Sequence, residues 1–419
     1  MGIKRQIQST RMVSLDDLRR NQSIFIYRTS RPRTVSYGSD VLQREQAMRI
    51  GVDARNLVPK LSGIGRYVLE TSRHLSEIGH EVYLYLPEPP NDQNSLPQVQ
   101  SVDISSFKGA LSRIVWGNSY LPLKAKKDKI DVLWGPAHRL PIMSAGGIPQ
   151  VVTIHDLVWQ YASSTMRFQG WVGERAFMKP SIKRAERVVA VSNATKVSLS
   201  ELYPWSQNKI DVVYPGCTPF TPDLSLADLK KFDLDRPYAL FVGTLEPRKN
   251  LLRLLESFAA LSADTRSKLL LVIAGGQGWG LSDLTTEISR LNIASSVRLT
   301  GFVSDEELGK LYRDARFLAM PSLYEGFGFP IIEANQLGVP VLTSNISSMP
   351  EVGGDAALLV DPTCLSSITN GLMKLATDDV LHNRLANAAQ TNAAKFNWSR
   401  SARELTGVFQ RVLNEYTQG

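Results

Sequence analysis

The sequence predicts an α/β protein built from two facing, doubly wound domains with a cleft between them. Three observations carry this. The chain has 419 residues, more than one ordinary hydrophobic core organises. From Ile50 onward, strand-like and helix-like segments alternate, the pattern of a parallel sheet covered by helices. The alternation breaks once, at "VVYPGCTPFTPD", where Pro215, Gly216, Pro219 and Pro222 crowd together, and then restarts.

Residues 1–47 come before the alternation. They are polar, arginine-rich and without sustained periodicity, so a disordered basic extension is expected. Two origins fit it: a real basic tail, or translated sequence upstream of a start at Met48. The first Rossmann-like domain is expected over 48–216. "RIGVDARNL" reads as a strand and "GIGRYVLETSRHLSEIG" as a helix. "HEVYLYLP", "DVLWGPA" and "QVVTIHDLV" read as strands. "ERVVAVSNATKVSLSELY" reads as a strand and a helix capped by Ser192 or Asn193. Residues 217–236 form the linker. The second domain, 237–400, takes its strands from "PYALFV", "KLLLVIA", "VRLTGFVS", "ARFLAM", "PVLTSN" and "AALLVDP". A C-terminal helix covers 401–419, where "SRSARELTGVFQRVLNEY" has helical period.

Composition narrows the class. A hydrophobic fraction of 43% and a charged fraction of 21% belong to a folded chain. No apolar run reaches the roughly 18 residues of a membrane span, and no apolar signal core follows the N-terminal basic residues. Two distant cysteines, Cys217 and Cys364, suggest no disulfide framework, so a reducing, cytoplasmic location is expected. The net charge is +8, but residues 1–48 hold nine Arg or Lys against four Asp or Glu. The folded body is therefore close to neutral, and no nucleic acid partner is expected.

In doubly wound sheets, ligands bind beyond the carboxyl ends of strands. The loop after "ARFLAM" is the most informative. In "PSLYEGFGFPIIEANQLG", Gly326 and Gly328 let backbone approach a ligand. Pro330 suits a first helical turn, whose free N–H groups attract anions. Glu333, one turn in, can accept from vicinal ribose hydroxyls, and Glu325 precedes the turn and faces the cleft. In "VGTLEPRKN", Arg248 and Lys249 are adjacent cations at a strand's carboxyl end, placed to stabilise negative charge in a cleft. In "SGIGRY", Gly63 and Gly65 can bring amides against phosphate, although so short a motif also describes a plain tight turn. In "TIHDL", His155 is either a structural imidazole or a ligand contact, with Asp156 orienting it or the loop. The pair Asp233 and Asp235 has metal-site spacing but reads as a solvated linker turn. No metal is expected.

"EGFGFPIIE" resembles the acid, seven residues, acid motif of retaining glycosyltransferases with the GT-B fold, family 4 (glycosyltransferase group 1). The resemblance runs from Met48 to the C-terminus. It implies that Glu325 contacts donor-sugar hydroxyls and Glu333 the nucleotide ribose. It places the backbone of Phe327, Gly328 and Phe329 near sugar and diphosphate, and Gly301, Phe302 and Val303 beside the base. Arg248 and Lys249 become the diphosphate clamp, the Gly63–Gly65 loop crosses to the phosphates, and His155 touches the sugar. His155, Glu325, Arg248 and Lys249 are thus the catalytic candidates. One position departs: many members carry arginine where this chain has Thr244.

Taken together, "VDARNL…SGIGRY", "HD", "GTLEPRKN" and "EGFGFPIIEA" resemble bacterial mannosyl- and rhamnosyltransferases of O-antigen and exopolysaccharide synthesis. That implies a GDP-sugar donor, no cofactor, and a glycan acceptor, lipid-linked or soluble, at the inner face of the cytoplasmic membrane. Two stretches mix aromatic and basic residues in keeping with an anionic bilayer surface, or with ordinary amphipathic helices. One holds Trp116, Tyr120, Lys124, Lys126, Lys127 and Lys129, the other Phe168, Trp171, Phe177, Lys179, Lys183 and Arg184. A sugar-nucleotide epimerase and a non-catalytic nucleotide-sugar binder share the architecture and stand as alternatives.

Overall fold

The computed structural model describes residues 47–58, 63–91, 96–107, 109–142, 147–166, 168–220, 228–276, 278 and 284–418. All but the last residue of the expected basic extension, and residues 221–227 of the expected linker, lie outside the described residues.

Two parallel sheets form the framework. The first contains β1 (Arg49–Asp53), β2 (Glu81–Leu86), β3 (Ser101–Ile104), β4 (Val132–Gly135), β5 (Gln150–Ile154), β6 (Arg187–Ala190) and β7 (Ile210–Val212). Their spatial order is β3-β2-β1-β4-β5-β6-β7. The second contains β8 (Tyr238–Val242), β9 (Leu270–Ala274), β10 (Val297–Gly301), β11 (Phe317–Met320), β12 (Val341–Ser344) and β13 (Ala357–Val360). Its order is β10-β9-β8-β11-β12-β13. Every pairing is parallel. Central strands such as "QVVTI" and "LLVIA" are buried along their whole length, which explains their unbroken apolar runs.

Both sheets are α/β and doubly wound, as the sequence predicts. The alternation misses two strands, β3 and β7, which are the two edges of the first sheet. "SVDI" and "IDV" are short and carry an aspartate each, so neither shows the apolar run of a central strand.

The order has a direct consequence for the site. Strand order reverses between β1 and β4 in one sheet and between β8 and β11 in the other. Loops leaving neighbouring strands there wind to opposite faces and open a crevice. The loops after β8 and β11 carry Arg248, Lys249 and Glu325.

The last helix, Trp398–Gln418, follows the second domain in sequence but packs on the first. Trp398, Ala402, Leu405, Phe409 and Val412 share a core with Val52, Tyr67 and Trp134. An amphipathic helix must bury its apolar stripe, and here the first domain supplies the surface. The return crossing is tight: a Cβ on Gly216 would lie 2.3 Å from the Trp398 backbone nitrogen.

Candidate active site at the domain junction

The turn after β8 brings the cations in. Pro247–Lys249 form one turn of 3-10 helix, and Asn250 then adopts a left-handed conformation at φ +61°. Its side-chain amide donates to the carbonyls of Pro321 (2.9 Å) and Pro362 (2.8 Å), which secures this otherwise strained residue. Leu323 N donates to Arg248 O at 2.8 Å, binding the β8 turn to the β11 loop.

Glu325 sits between both cations. Arg248 donates to Glu325 Oε2 at 2.5 Å and Lys249 Nζ to Oε1 at 2.6 Å. Arg248 also contacts Glu246 Oε1 at 2.6 Å. Glu325, Lys249 and Glu246 are buried. Burial alone would raise the Glu325 pKa, but Arg248 and then Lys249 reverse this and bring it to about 2. Glu246 moves the other way: its burial outweighs the same two cations and its pKa rises. Arg248 is thus held by two carboxylates. Lys249 donates to one among the described residues, which leaves further N–H groups for a ligand.

The β11 loop itself is cradled. Ser347 accepts from Glu325 N and donates to Glu325 O, and Ser348 Oγ lies 3.0 Å from Glu325 O and 2.8 Å from Phe327 O. Gly328, at φ +108°, turns the chain into helix Phe329–Gln336, with Pro330 in its first turn. The Phe327 side chain is buried against Tyr214, Phe329 and Phe396, and the Phe329 ring stacks toward Trp398. The Phe327 side chain belongs to the core, whereas Phe329 is only partly buried against it.

His155 follows β5 and reaches the same place from the other domain. A Cβ on Gly326 would stand 1.7 Å from the His155 carbonyl oxygen. Only glycine lets the two backbones meet. His155 Nε2 lies 2.7 Å from Pro136 O, so that nitrogen carries the proton and Nδ1 keeps its lone pair. Burial and then neighbouring His138 bring the His155 pKa down to about 3, so the ring is neutral. His155 N donates to His138 Nε2 at 2.9 Å, and His138 Nδ1 lies 2.8 Å from Glu174 Oε2.

Glu333 lies one helical turn beyond the glycine loop. Tyr312 donates to its Oε2 at 2.8 Å, and burial raises its pKa. Arg66, in the first turns of helix Gly63–Glu77, faces Glu333 electrostatically and contacts Asp305 of the second domain at 3.3 Å. Gly63 and Gly65 open that helix, while residues 59–62 before it lie outside the described residues. A Cβ on Gly63 would touch nothing among the described residues. Gly301 has φ +67°, Phe302 is 89% exposed, and Val303 is buried.

The structure therefore gathers Glu325, Arg248, Lys249 and the His155 backbone at one point, with Glu333 nearby on the same helix-bearing loop. Sequence reading missed Glu246, Tyr312, Ser347, Ser348, His138 and Arg66. Only Glu246 carries a local signal, two residues before Arg248. Asp233 and Asp235 are engaged by Arg298 and Arg236.

The first aromatic-basic stretch needs correction at two residues. Trp116 is wholly buried, with Arg55 over its ring at 5.2 Å, and Lys124 is bound by Asp103 and Asp128. Neither can anchor a bilayer. The most exposed apolar groups in and beside these stretches are Leu111, Leu123 and Phe168, at 77%, 70% and 75%. No described helix is long and apolar enough to cross a membrane.

Comparison with known proteins bears on the family and the fold. Residues 61–219 match the family described as Glycosyltransferase Family 4, and residues 227–392 that described as Glycosyl transferases group 1. O-antigen chain mannosyltransferase B of Escherichia coli is 29% identical over 374 residues, covering 84% of this chain and 96% of that one. The serotype-specific mannosyltransferase WbdA of Escherichia coli is 27% identical over 274 residues, 63% of this chain and 33% of that protein. Among solved structures, WaaG, a glycosyltransferase involved in lipopolysaccharide biosynthesis, superposes with a TM-score of 0.66 at 17% identity, covering 86% of this chain and 99% of that one. Anabaena Alr3699/HepE in complex with UDP and glucose gives 0.66 at 18% identity, over 87% and 99%. Two matched family domains spanning both sheets, with a full-length relative, decide the assignment: the chain belongs to the group 1, family 4 glycosyltransferases of the GT-B fold.

Proposed function

We propose that this glycosyltransferase moves a hexose, mannose or rhamnose, from a GDP-sugar to a lipid-linked glycan in bacterial surface polysaccharide synthesis, with retention of anomeric configuration. The observation that carries the reading is the Arg248–Glu325–Lys249 cluster, pressed against His155 at the domain junction. The likeness to O-antigen chain mannosyltransferase B supports mannose, and HepE, solved with UDP and glucose, supports a nucleotide-sugar donor.

The geometry supports the following roles. Glu325 stays charged at neutral pH and accepts hydrogen bonds from sugar hydroxyls. Lys249, with its remaining N–H groups, and Arg248 stabilise the charge that develops on the departing diphosphate. The first-turn amides of helix Phe329–Gln336 add to this. Glu333 accepts from the ribose. His155 presents a neutral ring at the sugar side. The acceptor hydroxyl approaches on the face the diphosphate leaves, and a phosphate oxygen takes its proton. No carboxylate nucleophile and no metal are needed. Exposed Leu111, Leu123 and Phe168, with Lys126 and Lys127 nearby in sequence, suit a lipid-linked acceptor at an anionic membrane face.

The deciding experiment incubates the purified protein with labelled GDP-mannose, GDP-rhamnose, UDP-glucose and UDP-galactose, with and without a polyprenyl-linked glycan. Label on the lipid from a GDP-sugar is the expected result. An isomerised free nucleotide sugar would indicate an epimerase, and bound but unchanged donor a binding protein.

A further inference from the structure

Helix Asn193–Leu202 of the first domain begins directly after β6, and Ser192 caps it, accepting from Thr195 N. Its first two amides find their acceptor in the other domain. Asn193 N donates to Glu351 Oε2 at 3.1 Å and Ala194 N to Oε1 at 2.9 Å. Tyr214, in the connection between domains, donates to Oε2 at 2.7 Å. One carboxylate from the second domain thus closes the helix terminus of the first. First-turn amides have no partner within their own helix, and the helix dipole favours a negative charge there.

The position of Glu351 in sequence gives this contact reach. It lies four and three residues after Ser347 and Ser348, whose hydroxyls hold the backbone of Glu325. On the other side, Ser192 donates to Gly326 O at 2.7 Å, and Thr195 donates to Gly326 O at 3.2 Å and to His155 O at 3.3 Å. The same helix start that Glu351 grips therefore touches both the residue after Glu325 and the carbonyl of His155.

We propose that Glu351 is a positioning residue for glycosyl transfer: by docking the first domain's 193–202 helix, it sets His155 against the loop that carries Glu325. It touches neither donor nor acceptor. The effect on turnover rests on the proposed function, but the docking role does not.

The test compares full-length wild type with E351A, E351Q and Y214F. Hydrogen exchange on the unliganded proteins reads the 193–202 helix. In E351A, the Asn193 and Ala194 amides should exchange at least about 10-fold faster, having lost the acceptor they have among the described residues. E351Q, which keeps an acceptor but no charge, should fall between. Y214F leaves both amide contacts in place and should show a smaller change, so it tests the idea even if E351A folds poorly. Turnover with GDP-mannose and a polyprenyl-linked glycan should fall roughly 10- to 100-fold in E351A, the scale of a small misplacement of reacting groups. GDP affinity by calorimetry should stay within about twofold, because Arg248, Lys249 and Glu333 all belong to the second domain. Unchanged exchange, wild-type turnover, or GDP affinity falling in step with turnover would each overturn the proposal. If the wild type transfers no sugar at all, the donor assignment fails while the exchange result still decides the docking role.

Discussion

Lys249 Nζ lies 2.6 Å from Glu325 Oε1, although 76 residues separate them. The ion pair joins two loops that leave neighbouring strands on either side of the point where strand order reverses. It also joins two expected roles, since the acid meant for sugar and the cation meant for phosphate hold each other. Under the proposed function, the donor would meet a carboxylate and a cation that the fold has already placed together.

Replacing Lys249 with alanine should lower kcat by roughly 10²-fold or more, the usual loss on removing one such charge stabiliser. Steady-state rates with the preferred nucleotide sugar check this. Wild-type turnover would remove Lys249 from the site.

The acid limb of stability should report on Glu325. Its folded pKa of about 2 lies below its ordinary value, so its contribution is present above the ordinary glutamate value and is lost as pH falls toward 2. The shift corresponds to something on the order of 3 kcal/mol. Glu246 and Glu333, whose pKa values are raised, act with the opposite sign. Urea midpoints measured from pH 7 to pH 3 should therefore fall less steeply in E325Q than in wild type. Parallel curves would mean that the ion pair does not form in solution.

Tyr312→Phe should weaken GDP binding about 10-fold or more, because a hydrogen bond to a charged group contributes about 1.5–3 kcal/mol. Without that donor, burial raises the Glu333 pKa further, so the loss should grow as pH falls. Calorimetry at pH 6 and pH 8 separates this from a general loss of packing, which would weaken binding equally at both.

Gly326→Ala should separate the two domains at the catalytic point. The added Cβ would stand 1.7 Å from a backbone oxygen of His155, which cannot swing aside as a side chain would. Turnover should drop on the order of 10²-fold while far-UV circular dichroism stays unchanged. Retained activity would show that His155 and the Glu325 loop need not meet.

Much of the arrangement was legible because it is local. "EGFGFPIIE" places two acids, a turn and a helix start within nine residues, and "EPRKN" places two cations at a strand end. The central strands declared themselves by apolar runs, since a strand buried on both faces has no polar side to show. The edge strands β3 and β7 did not, because each is short and only partly buried, and the buried Asp103 of β3 is paired with Lys124 rather than replaced by an apolar residue. Trp116 misled for a related reason: the neighbouring lysines suggest a surface, yet the ring lies under Arg55 and inside the core.

The residues that support the site were not legible, because each acts through a distant partner. Tyr312 meets Glu333 across 21 residues, His138 meets His155 across 17, and Glu351 meets Ala194 across 157. A lone tyrosine, histidine or glutamate carries no periodicity that marks such a meeting. The amino-acid order determined the two wound sheets and which loops could carry chemistry, since hydrophobic pattern and turn residues act over a few positions. Only the pairing of β8 beside β11 decided that Glu325 is held by both cations, and only the packing of one domain on the other decided that Gly326 meets His155 and that the last helix serves the first core. Those contacts depend on where remote backbone segments come to rest, and short-range preferences do not encode that.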